Sequence, residues 1–327
     1  MSSRTALVTG AAGFVGRHVV RALLGARFRV KAGVHHERDR KSFARLGDVE
    51  PVTVDVLAAE SILQAMEGAE HVYHCAALLD ARAPRERLME VNAAGTRRVW
   101  ECAAASGVRK ALYCSSTAVY GLLSRCDEGI TEQSRARAIE PYGYSKLRGE
   151  EAALDVAART GLHTTIIRPV AIFGPGERTK FGTLLRDAAL SGLLSAGGFR
   201  DKSFNFVHVE DVAAALVHLA ERDLPGGEIY NVAVEEPSPF EEAFRTYRRV
   251  LRAAGRPYAK ARWFAGMSAL LHRHPSALRR ISALVGDRHM FRIWRPGFDL
   301  TYSPTKLLRT SFRFKWEEFE WVFASCL

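Results

Sequence analysis

Long apolar runs and paired cysteines are both missing from this sequence of 327 residues. No stretch of about 18 consecutive apolar residues occurs, so we expect no helix that could cross a membrane. The first ten residues enter a strand-like pattern without the apolar segment of a signal peptide, which predicts a cytoplasmic protein. The cysteines are odd in number, far apart and without a C-x-x-C pair, which argues against structural disulfides and against a metal site; they lie at positions 75, 102, 114, 126 and 326.

Acidic residues are scarce in the last quarter of the chain. Residues 241–327 hold 17 Lys and Arg against 7 Asp and Glu, and so carry most of the net charge of +11. A basic surface of this kind is consistent with a solvated face, with an anionic substrate or with an anionic lipid surface. No groove-reading motif accompanies the charge, so we expect a small-molecule substrate and no nucleic-acid partner.

The first two thirds of the chain alternate short β-branched runs with longer helical patterns, as in ALVTG, then FVGRHVVRALLGA, then FRVKAGV. This alternation predicts βαβ units and an α/β fold with a doubly wound parallel sheet. Further strands are predicted at Val52–Val54, His71–His74, Lys110–Cys114 and Thr164–Ile167, and long helices at Pro84–Ser106 and Tyr142–Thr160. From about residue 175 the pattern becomes irregular, although Phe206–Glu221 and Ile229–Val232 are predicted as a strand, a helix and a strand that return to the core.

A glycine-rich turn joins the first predicted strand to the first predicted helix. Glycine is needed where the backbone turns tightly and where it approaches a pyrophosphate, and the helix N-terminus offers free N–H groups to the phosphates. The turn therefore predicts a dinucleotide site on a Rossmann sheet, formed by Gly10, Gly13, Phe14, Val15 and Gly16. We expect residues 1–174, with 204–233 returning to them, to form this domain, and 175–203 with 234–327 to form a smaller, mainly helical substrate-binding portion.

The G-x-x-G-x-x-G spacing of the turn resembles the short-chain dehydrogenase/reductase superfamily, and later segments resemble its extended branch in the same order. These segments are Asp55-Val56, His74-Cys75-Ala76-Ala77, Asn92-Ala-Ala-Gly95-Thr96, and Arg168-Pro169 followed by Phe173-Gly174-Pro175-Gly176. The resemblance implies NAD(P) as the cofactor. It also implies adenine contacts from Asp55 and Val56, and further cofactor contacts from Ala76, Ala77 and Pro169.

Cofactor choice depends on the end of the second predicted strand. Counting from Gly10, the acid that NAD-binding members of the family carry falls on Val34, and the arginine of NADP-binding members falls on His35. An acid would accept from the ribose hydroxyls, whereas His35 and Arg38 offer donors to a 2′-phosphate. We therefore predict that NADP(H) is preferred and that NAD(H) is also accepted. A charged surface turn with no cofactor role is the alternative, because Glu37 and Asp39 interleave with the basic residues.

Two side chains four residues apart, Tyr142 and Lys146, share one face of a predicted helix. A tyrosine needs its pKa lowered by roughly 3 units to act as an acid/base near neutrality. A neighbouring ammonium group and a positive nicotinamide ring can do this by stabilising the phenolate. By resemblance, Lys146 also holds the nicotinamide ribose hydroxyls, so both residues are predicted to contact the cofactor. Tyr144 is predicted to point elsewhere.

A cluster of hydroxyl groups ends the strand predicted at Lys110–Cys114, the end at which parallel sheets build their sites. Aligned on Val119-Tyr120-Gly121, the catalytic Ser/Thr of the family falls on Ser116, with Ser115 and Thr117 as alternatives. By resemblance, Asn92 completes the catalytic group by stabilising the helix that presents the site, and a purely structural side chain is its alternative. His74 is interpreted as a packed turn residue.

Two departures from the family bear on the reaction. Dehydratases of the nucleotide-sugar branch carry Asp-Glu directly after the catalytic hydroxyl residue, where this chain has Thr117 and Ala118. Sugar-nucleotide epimerases carry an Asn where this chain has Ala171. The later segments resemble more closely the 3β-hydroxysteroid dehydrogenase and dihydroflavonol reductase-like branch. This implies interconversion of a ketone and a secondary alcohol on a fairly hydrophobic substrate.

Several alternatives stay open at the level of sequence. The chain could be a nucleotide-sugar epimerase or 4-ketoreductase, whose diphosphate would account for C-terminal arginines. It could also be a non-catalytic NAD(P)-sensing regulator, although such proteins usually lose the tyrosine. Besides the substrate, we consider two further partners: a second copy of the chain, in a homodimer, and a membrane surface. The membrane contact would use an apolar helical stripe that is otherwise read as a packed face: Trp263, Phe264, Met267, Leu270 and Leu271.

Overall fold

Seven parallel strands form the central sheet of the structure, a computed structural model that describes residues 4–80, 83–121, 129–177, 203–255 and 301–326. The strands are β1 (Thr5–Thr9), β2 (Arg29–Val34), β3 (Val49–Thr53), β4 (His71–His74), β5 (Lys110–Cys114), β6 (His163–Pro169) and β10 (Glu228–Val232). Their order across the sheet is β3-β2-β1-β4-β5-β6-β10. The chain thus leaves β1 in one direction to reach β3 and crosses back at β4, which opens a crevice at the carboxyl ends of β1 and β4.

Helices cover both faces of this sheet. The helices of the described residues are α1 (Phe14–Gly25), α2 (Ala59–Met66), α3 (Arg85–Met89), α4 (Gly95–Ala105), α5 (Pro141–Thr160), α6 (Val209–Glu221), α7 (Phe240–Ala253), α8 (Thr305–Leu308) and α9 (Phe319–Ser325). Of these, α7 and α9 pack on each other beside the short strands described below. Alternation along β1 shows how the faces are divided: Val8 joins the core beneath α1 and α6, whereas Leu7 joins the core beneath α2, α4 and α5. Because helices cover both faces, the inner strands β1, β4, β5 and β6 are buried over almost their whole length. The predicted Rossmann-type α/β fold is confirmed.

The predicted strands and helices are present, with two differences. The first is that Phe206–His208 forms a strand, β9, outside the main sheet, where it pairs in parallel with β7 (Ala171–Phe173). A second short pair joins β8 (Ser203–Phe204) to β11 (Ser238–Pro239). Of these four short strands, β7 follows the carboxyl end of β6 and β11 follows the carboxyl end of β10.

The second difference lies inside the helix predicted at Pro84–Ser106. A π-helical turn at Glu90–Ala94 separates α3 from α4. Such turns are rare and occur frequently at functional sites. Asn92 lies in the middle of this turn and is 1% exposed.

A buried ion pair joins α5 to β6. The Arg168 guanidinium donates to both carboxylate oxygens of Glu150, at 3.0 and 2.6 Å, and both side chains are at most 5% exposed. The guanidinium also lies 4.7 Å from the centre of the Tyr120 ring. Tyr120 in turn donates to Asn231 of β10 at 2.8 Å. Three elements near the carboxyl edge of the sheet are therefore connected through buried polar groups.

Aromatic side chains fix the C-terminal helix α9 against the short strands. The Phe319 ring lies 4.5 Å from that of Phe206 and 5.6 Å from that of Phe204, and Phe323 lies 5.4 Å from Phe173. The division into a cofactor domain and a substrate-binding portion stays a prediction, because residues 178–202 and 256–300 lie outside the described ranges. The apolar stripe that begins at Trp263 lies there too. Among the described helices, none is both long and apolar enough to cross a membrane.

We expect Glu150→Gln to destabilise the fold strongly, because it leaves the buried Arg168 guanidinium without its counter-charge. Breaking a buried pair in this way costs about 3 to 5 kcal/mol of unfolding free energy. Glu151→Gln is the control, since the neighbouring Glu151 pairs with Arg148 on the exposed side of α5, where such pairs contribute about 1 kcal/mol or less. Urea denaturation compares the two variants. Similar losses would contradict the assignment of Glu150 as a buried anchor.

Candidate active site

The glycine-rich turn lies at the carboxyl end of β1, directly against the turn that follows β4. Gly10 has a φ of +66°, and a Cβ there would come within 2.7 Å of the Ala76 backbone. A Cβ on Gly16 would come within 2.1 Å of the Gly10 carbonyl oxygen. Only glycine fits either position. The turn thus brings the first amides of α1, at Phe14, Val15 and Gly16, to the crevice between β1 and β4, and such amides have no acceptor within a helix. This arrangement fits a bound pyrophosphate.

The turn after β4 is held by a directional chain of hydrogen bonds through His74. Thr96 donates its hydroxyl to the Asn92 carbonyl at 2.7 Å, so its oxygen accepts from His74 Nε2 at 3.0 Å. His74 Nδ1 then accepts from the Thr9 hydroxyl at 2.7 Å. Burial, together with the charge of Lys146, lowers the pKa of His74 to about 3. A neutral, fully partnered imidazole is a structural element, in keeping with the interpretation of His74 as a packed turn residue.

The residues proposed to contact adenosine lie at the ends of β2 and β3. Val34 is fully buried, whereas His35 and Arg38 are exposed, and the Arg38 guanidinium lies 4.0 Å from the Asp39 carboxylate. Asp55 accepts from the Leu57 amide at 2.9 Å, which forms a turn into α2. Arg40, which sequence reasoning did not single out, comes within 3.5 Å of the Thr53 hydroxyl. Three basic or donor side chains therefore flank the edge at which a ribose would lie.

Tyr142, Lys146 and Ser116 are brought together at the carboxyl end of β5. Ser116 begins a 3₁₀ turn (Thr117–Tyr120), and its oxygen accepts from the Ala118 amide at 3.1 Å. The start of α5 packs tightly on this turn: a Cβ on Gly143 would come within 2.3 Å of the Ala118 carbonyl oxygen. This close approach brings the Ser116 hydroxyl to the Tyr142 phenol, whose pKa it lowers.

Lys146 lies one helical turn after Tyr142 and is almost completely buried. Its ammonium group donates to the Cys114 carbonyl at 2.7 Å and lies 4.2 Å from the centre of the Tyr113 ring. These contacts fix the long side chain at the end of β5. Its charge also reaches Tyr142, Cys75 and Cys114. Lys146 is therefore the positive centre of the site.

The pKa of Tyr142 shows the balance of forces on its phenol. Burial raises this pKa above the ordinary value, while Lys146 and the hydrogen bond from Ser116 lower it. Burial is the largest of these effects, so the side chains of the protein do not by themselves produce the lowered pKa expected from the sequence. A positive nicotinamide ring would act in the same direction as Lys146, and so would complete the depression.

Asn92 connects the loop after β4 to the catalytic helix. Its amide group accepts from the Leu78 amide at 2.7 Å and donates to the Leu78 carbonyl at 3.0 Å and to the Ser145 hydroxyl at 2.9 Å. Ser145 donates in turn to the Tyr142 carbonyl at 2.7 Å. Asn92 thus positions α5 next to the site through Ser145, a residue that sequence reasoning missed although it lies between Tyr144 and Lys146.

The two competitors of Ser116 have different surroundings. Thr117 donates to the Pro169 carbonyl at 3.3 Å, a backbone contact of the kind expected for a structural hydroxyl. Ser115 is buried, and its hydroxyl has no hydrogen-bond partner among the described residues. Neither contacts Tyr142 in the hydrogen bonds of the described residues. Of the three hydroxyl groups, it is that of Ser116 that acts on the pKa of Tyr142, which favours Ser116 for the catalytic role.

The model of the NAD-dependent epimerase/dehydratase family matches residues 6–233, a span that includes every motif of the site. The chain belongs to this family. The predicted membership of the extended short-chain dehydrogenases/reductases is thereby confirmed. The family consists of NAD(P)-binding enzymes, among them oxidoreductases and epimerases.

Known relatives within this family include proteins named for sterols. Sterol demethylase protein B of Methylococcus capsulatus is 33% identical over 229 residues, which cover 68% of this chain and 67% of that protein. The 3β-hydroxysteroid dehydrogenase/decarboxylase isoform 1 of Arabidopsis thaliana is 31% identical over 70% of this chain, but only 55% of its own length is covered. The crystal structure of gox2253 matches with a TM-score of 0.77 at 27% identity, covering 99% of this chain and 97% of gox2253.

We expect Gly16→Ala to weaken NADPH binding strongly, because its methyl group would push the Gly10 carbonyl out of the turn. Gly25→Ala in the same helix is the control, since a Cβ there meets nothing within 4 Å. That control should bind NADPH normally and be more stable by up to about 1 kcal/mol, the helix preference of alanine over glycine. Fluorescence titration with NADPH measures both variants. Unchanged affinity in Gly16→Ala would show that the turn does not hold the cofactor.

Proposed function

We propose that this protein interconverts a ketone and a secondary alcohol on a fairly hydrophobic substrate, with a nicotinamide cofactor as hydride carrier. The observation that carries the proposal is the grouping of Ser116, Tyr142 and Lys146 at the carboxyl end of β5, where both Lys146 and the Ser116 hydroxyl act to lower the pKa of the Tyr142 phenol. A proton donor and a second hydroxyl can then reach one carbonyl oxygen. The cofactor, when bound, supplies or accepts the hydride.

In the reductive direction, the Tyr142 phenol gives its proton to the substrate oxygen as negative charge develops there. The Ser116 hydroxyl donates a hydrogen bond to the same oxygen and so stabilises that charge. Lys146 stabilises the resulting phenolate by its charge, and is the residue proposed to hold the nicotinamide ribose hydroxyls. Asn92 acts through Ser145 and is a positioning residue in this mechanism.

Two features favour a hydrophobic substrate. Leu79 and Ile139 are exposed apolar side chains, and each belongs to a segment that borders the catalytic residues. Leu79 follows Leu78, which Asn92 holds, and Ile139 lies three residues before Tyr142. The names of the relatives from Methylococcus capsulatus and Arabidopsis thaliana also refer to sterols or steroids.

The competing function is epimerisation or 4-keto reduction of a nucleotide sugar, for which the basic C-terminal region would supply phosphate contacts. Ala171 opposes it, since alanine can neither donate to a phosphate nor accept from a sugar hydroxyl. A hydrogen bond to a charged oxygen contributes about 1.5 to 3 kcal/mol, so its loss weakens binding by roughly 10- to 150-fold. A regulator without catalysis is opposed by the complete Ser116, Tyr142 and Lys146 group.

A screen of hydrophobic ketones and secondary alcohols, with UDP-glucose and UDP-galactose alongside, tests this function. We expect net oxidation of NAD(P)H with a hydrophobic ketone and no exchange between the two sugar nucleotides. Net absorbance change separates the reactions, because an epimerase regenerates its cofactor in each turnover. Exchange of UDP-hexoses without net change in NAD(P)H would replace the ketone reductase with the epimerase.

Once a substrate is known, Tyr142→Phe should lower kcat by on the order of 100-fold or more, because the proton donor is lost. Tyr144→Phe is the matched control from the adjacent turn. Its ring contacts the Arg85 guanidinium at 4.7 Å and is not placed at Ser116, so kcat should change little. Steady-state kinetics with both variants decides the matter, and equal losses would remove Tyr142 from the mechanism.

We further propose that NADPH binds more tightly than NADH. Support comes from the buried Val34 in place of an acid and from the exposed donors of His35 and Arg38 beside it. Arg38→Ala should lower NADPH affinity while leaving NADH affinity nearly unchanged, because only the 2′-phosphate distinguishes the two cofactors. Fluorescence titration with each cofactor provides the measurement. Equal affinities in the unaltered protein would mean that this turn is a solvated surface.

A further inference from the structure

Two cysteines lie side by side at the carboxyl edge of the sheet. The parallel register of β4 and β5 pairs His74 with Tyr113, and one further step brings Cys75 opposite Cys114. Paired residues on neighbouring strands point to the same side of the sheet and are about 4.8 Å apart. The two thiols are close enough to hydrogen-bond to each other, and both are free.

This spacing is compatible with a covalent bond. The Cα atoms of disulfides are usually 4.4 to 6.8 Å apart, a range that includes neighbouring strands. Side chains of paired residues also lie on the same side of the sheet. No large movement of the backbone is therefore needed to join Cys75 to Cys114.

The surroundings of the pair favour one thiol as the nucleophile. The hydrogen bond from Cys75 and the charge of Lys146 lower the pKa of Cys114, while burial opposes them. The same hydrogen bond raises the pKa of Cys75, which remains the thiol. A thiolate next to a thiol is the arrangement that converts a first oxidation into a disulfide.

The pair also lies between two parts of the proposed cofactor site. On one side, the Gly10 turn packs on the peptide that joins Cys75 to Ala76. On the other side, Lys146 donates to the Cys114 carbonyl at 2.7 Å. Cys75 is partly exposed and Cys114 is 9% exposed, so small oxidants can reach the pair when no cofactor covers it.

We propose that Cys75 and Cys114 form an oxidisable dithiol, which hydrogen peroxide converts to an intramolecular disulfide and which a bound nicotinamide cofactor protects. The Cys114 thiolate attacks one peroxide oxygen, the O–O bond breaks, and the departing hydroxide takes up the proton that Cys114 released, forming water. The Cys75 thiol then attacks the sulfenic sulfur, so that an S–S bond forms, the S–O bond breaks and a second water leaves. The two thiols lose two electrons, and these reduce the peroxide to two waters.

Disulfide formation is tested on the reduced full-length protein with hydrogen peroxide and without cofactor. After free thiols are blocked, mass spectrometry should find a peptide that links Cys75 to Cys114, and dithiothreitol should abolish it. Cys75→Ser should lose this peptide and accumulate sulfenic acid on Cys114, detected with dimedone. Cys102→Ser, which removes a buried thiol from another part of the core, should form the link normally. Oxidation of Cys114 to sulfinic acid without a link, or links to other cysteines, would overturn the proposal.

Protection by cofactor is measured in the same reaction with added NADPH. If only the free protein reacts, NADPH at 100 times its Kd should slow formation of the link about 100-fold, since about 1% of the protein is then free. The proposed protection by NADPH rests on the proposed cofactor site. If titration shows that NADPH binds but the reaction is not slowed, the cofactor does not cover the cysteine pair and the proposed protection is wrong. If NADPH does not bind at all, the proposed function fails. The linked peptide still tests whether Cys75 and Cys114 form a disulfide.

Discussion

The hydrogen-bond chain that runs through His74 connects the two halves of the site. It begins at Thr9, the last residue of β1 before the glycine turn, and passes through the imidazole to Thr96 and the Asn92 carbonyl. The side chain of Asn92 continues it to Ser145 and the Tyr142 backbone. Each donor meets one acceptor only if His74 is neutral and carries its proton on Nε2. Burial keeps His74 neutral by lowering its pKa. One chain of hydrogen bonds can therefore hold both the glycine-rich turn after β1 and helix α5.

The same chain of hydrogen bonds accounts for the π-helical turn between α3 and α4. An ordinary helix would direct the Asn92 side chain and carbonyl by the regular i to i+4 pattern. The extra residue of a π turn changes this local geometry, and at Asn92 the carbonyl accepts from Thr96 while the amide group reaches the loop at Leu78 and Ser145. In the irregular turn, Asn92 alone can therefore form hydrogen bonds with Leu78, Thr96 and Ser145. Its position coincides with the motif that the sequence shares with its family.

Much of the fold was predictable from local patterns. The strands at His71–His74 and Lys110–Cys114 have the predicted bounds, because buried apolar runs flanked by turn residues are a local signal. The grouping of Tyr142, Lys146 and Ser116 was likewise predictable from spacing and motif order. The Glu150 to Arg168 pair, the link through Ser145 and the opposition of Cys75 to Cys114 were not. These depend on which strands and helices become neighbours, and single-residue patterns do not carry that information.

Helix α5 presents three polar groups at intervals of four residues: the half-buried Tyr142 and the buried Lys146 and Glu150. The first faces Ser116, the second a carbonyl at the end of β5, and the third the Arg168 guanidinium. A slip of the helix by a single residue would turn this face by about 100° and would strand two charges in the apolar core. Rotation about the helix axis is therefore the degree of freedom that this arrangement removes. The direction in which the Tyr142 phenol points is thus set by the contacts of Lys146 and Glu150 on the same helix.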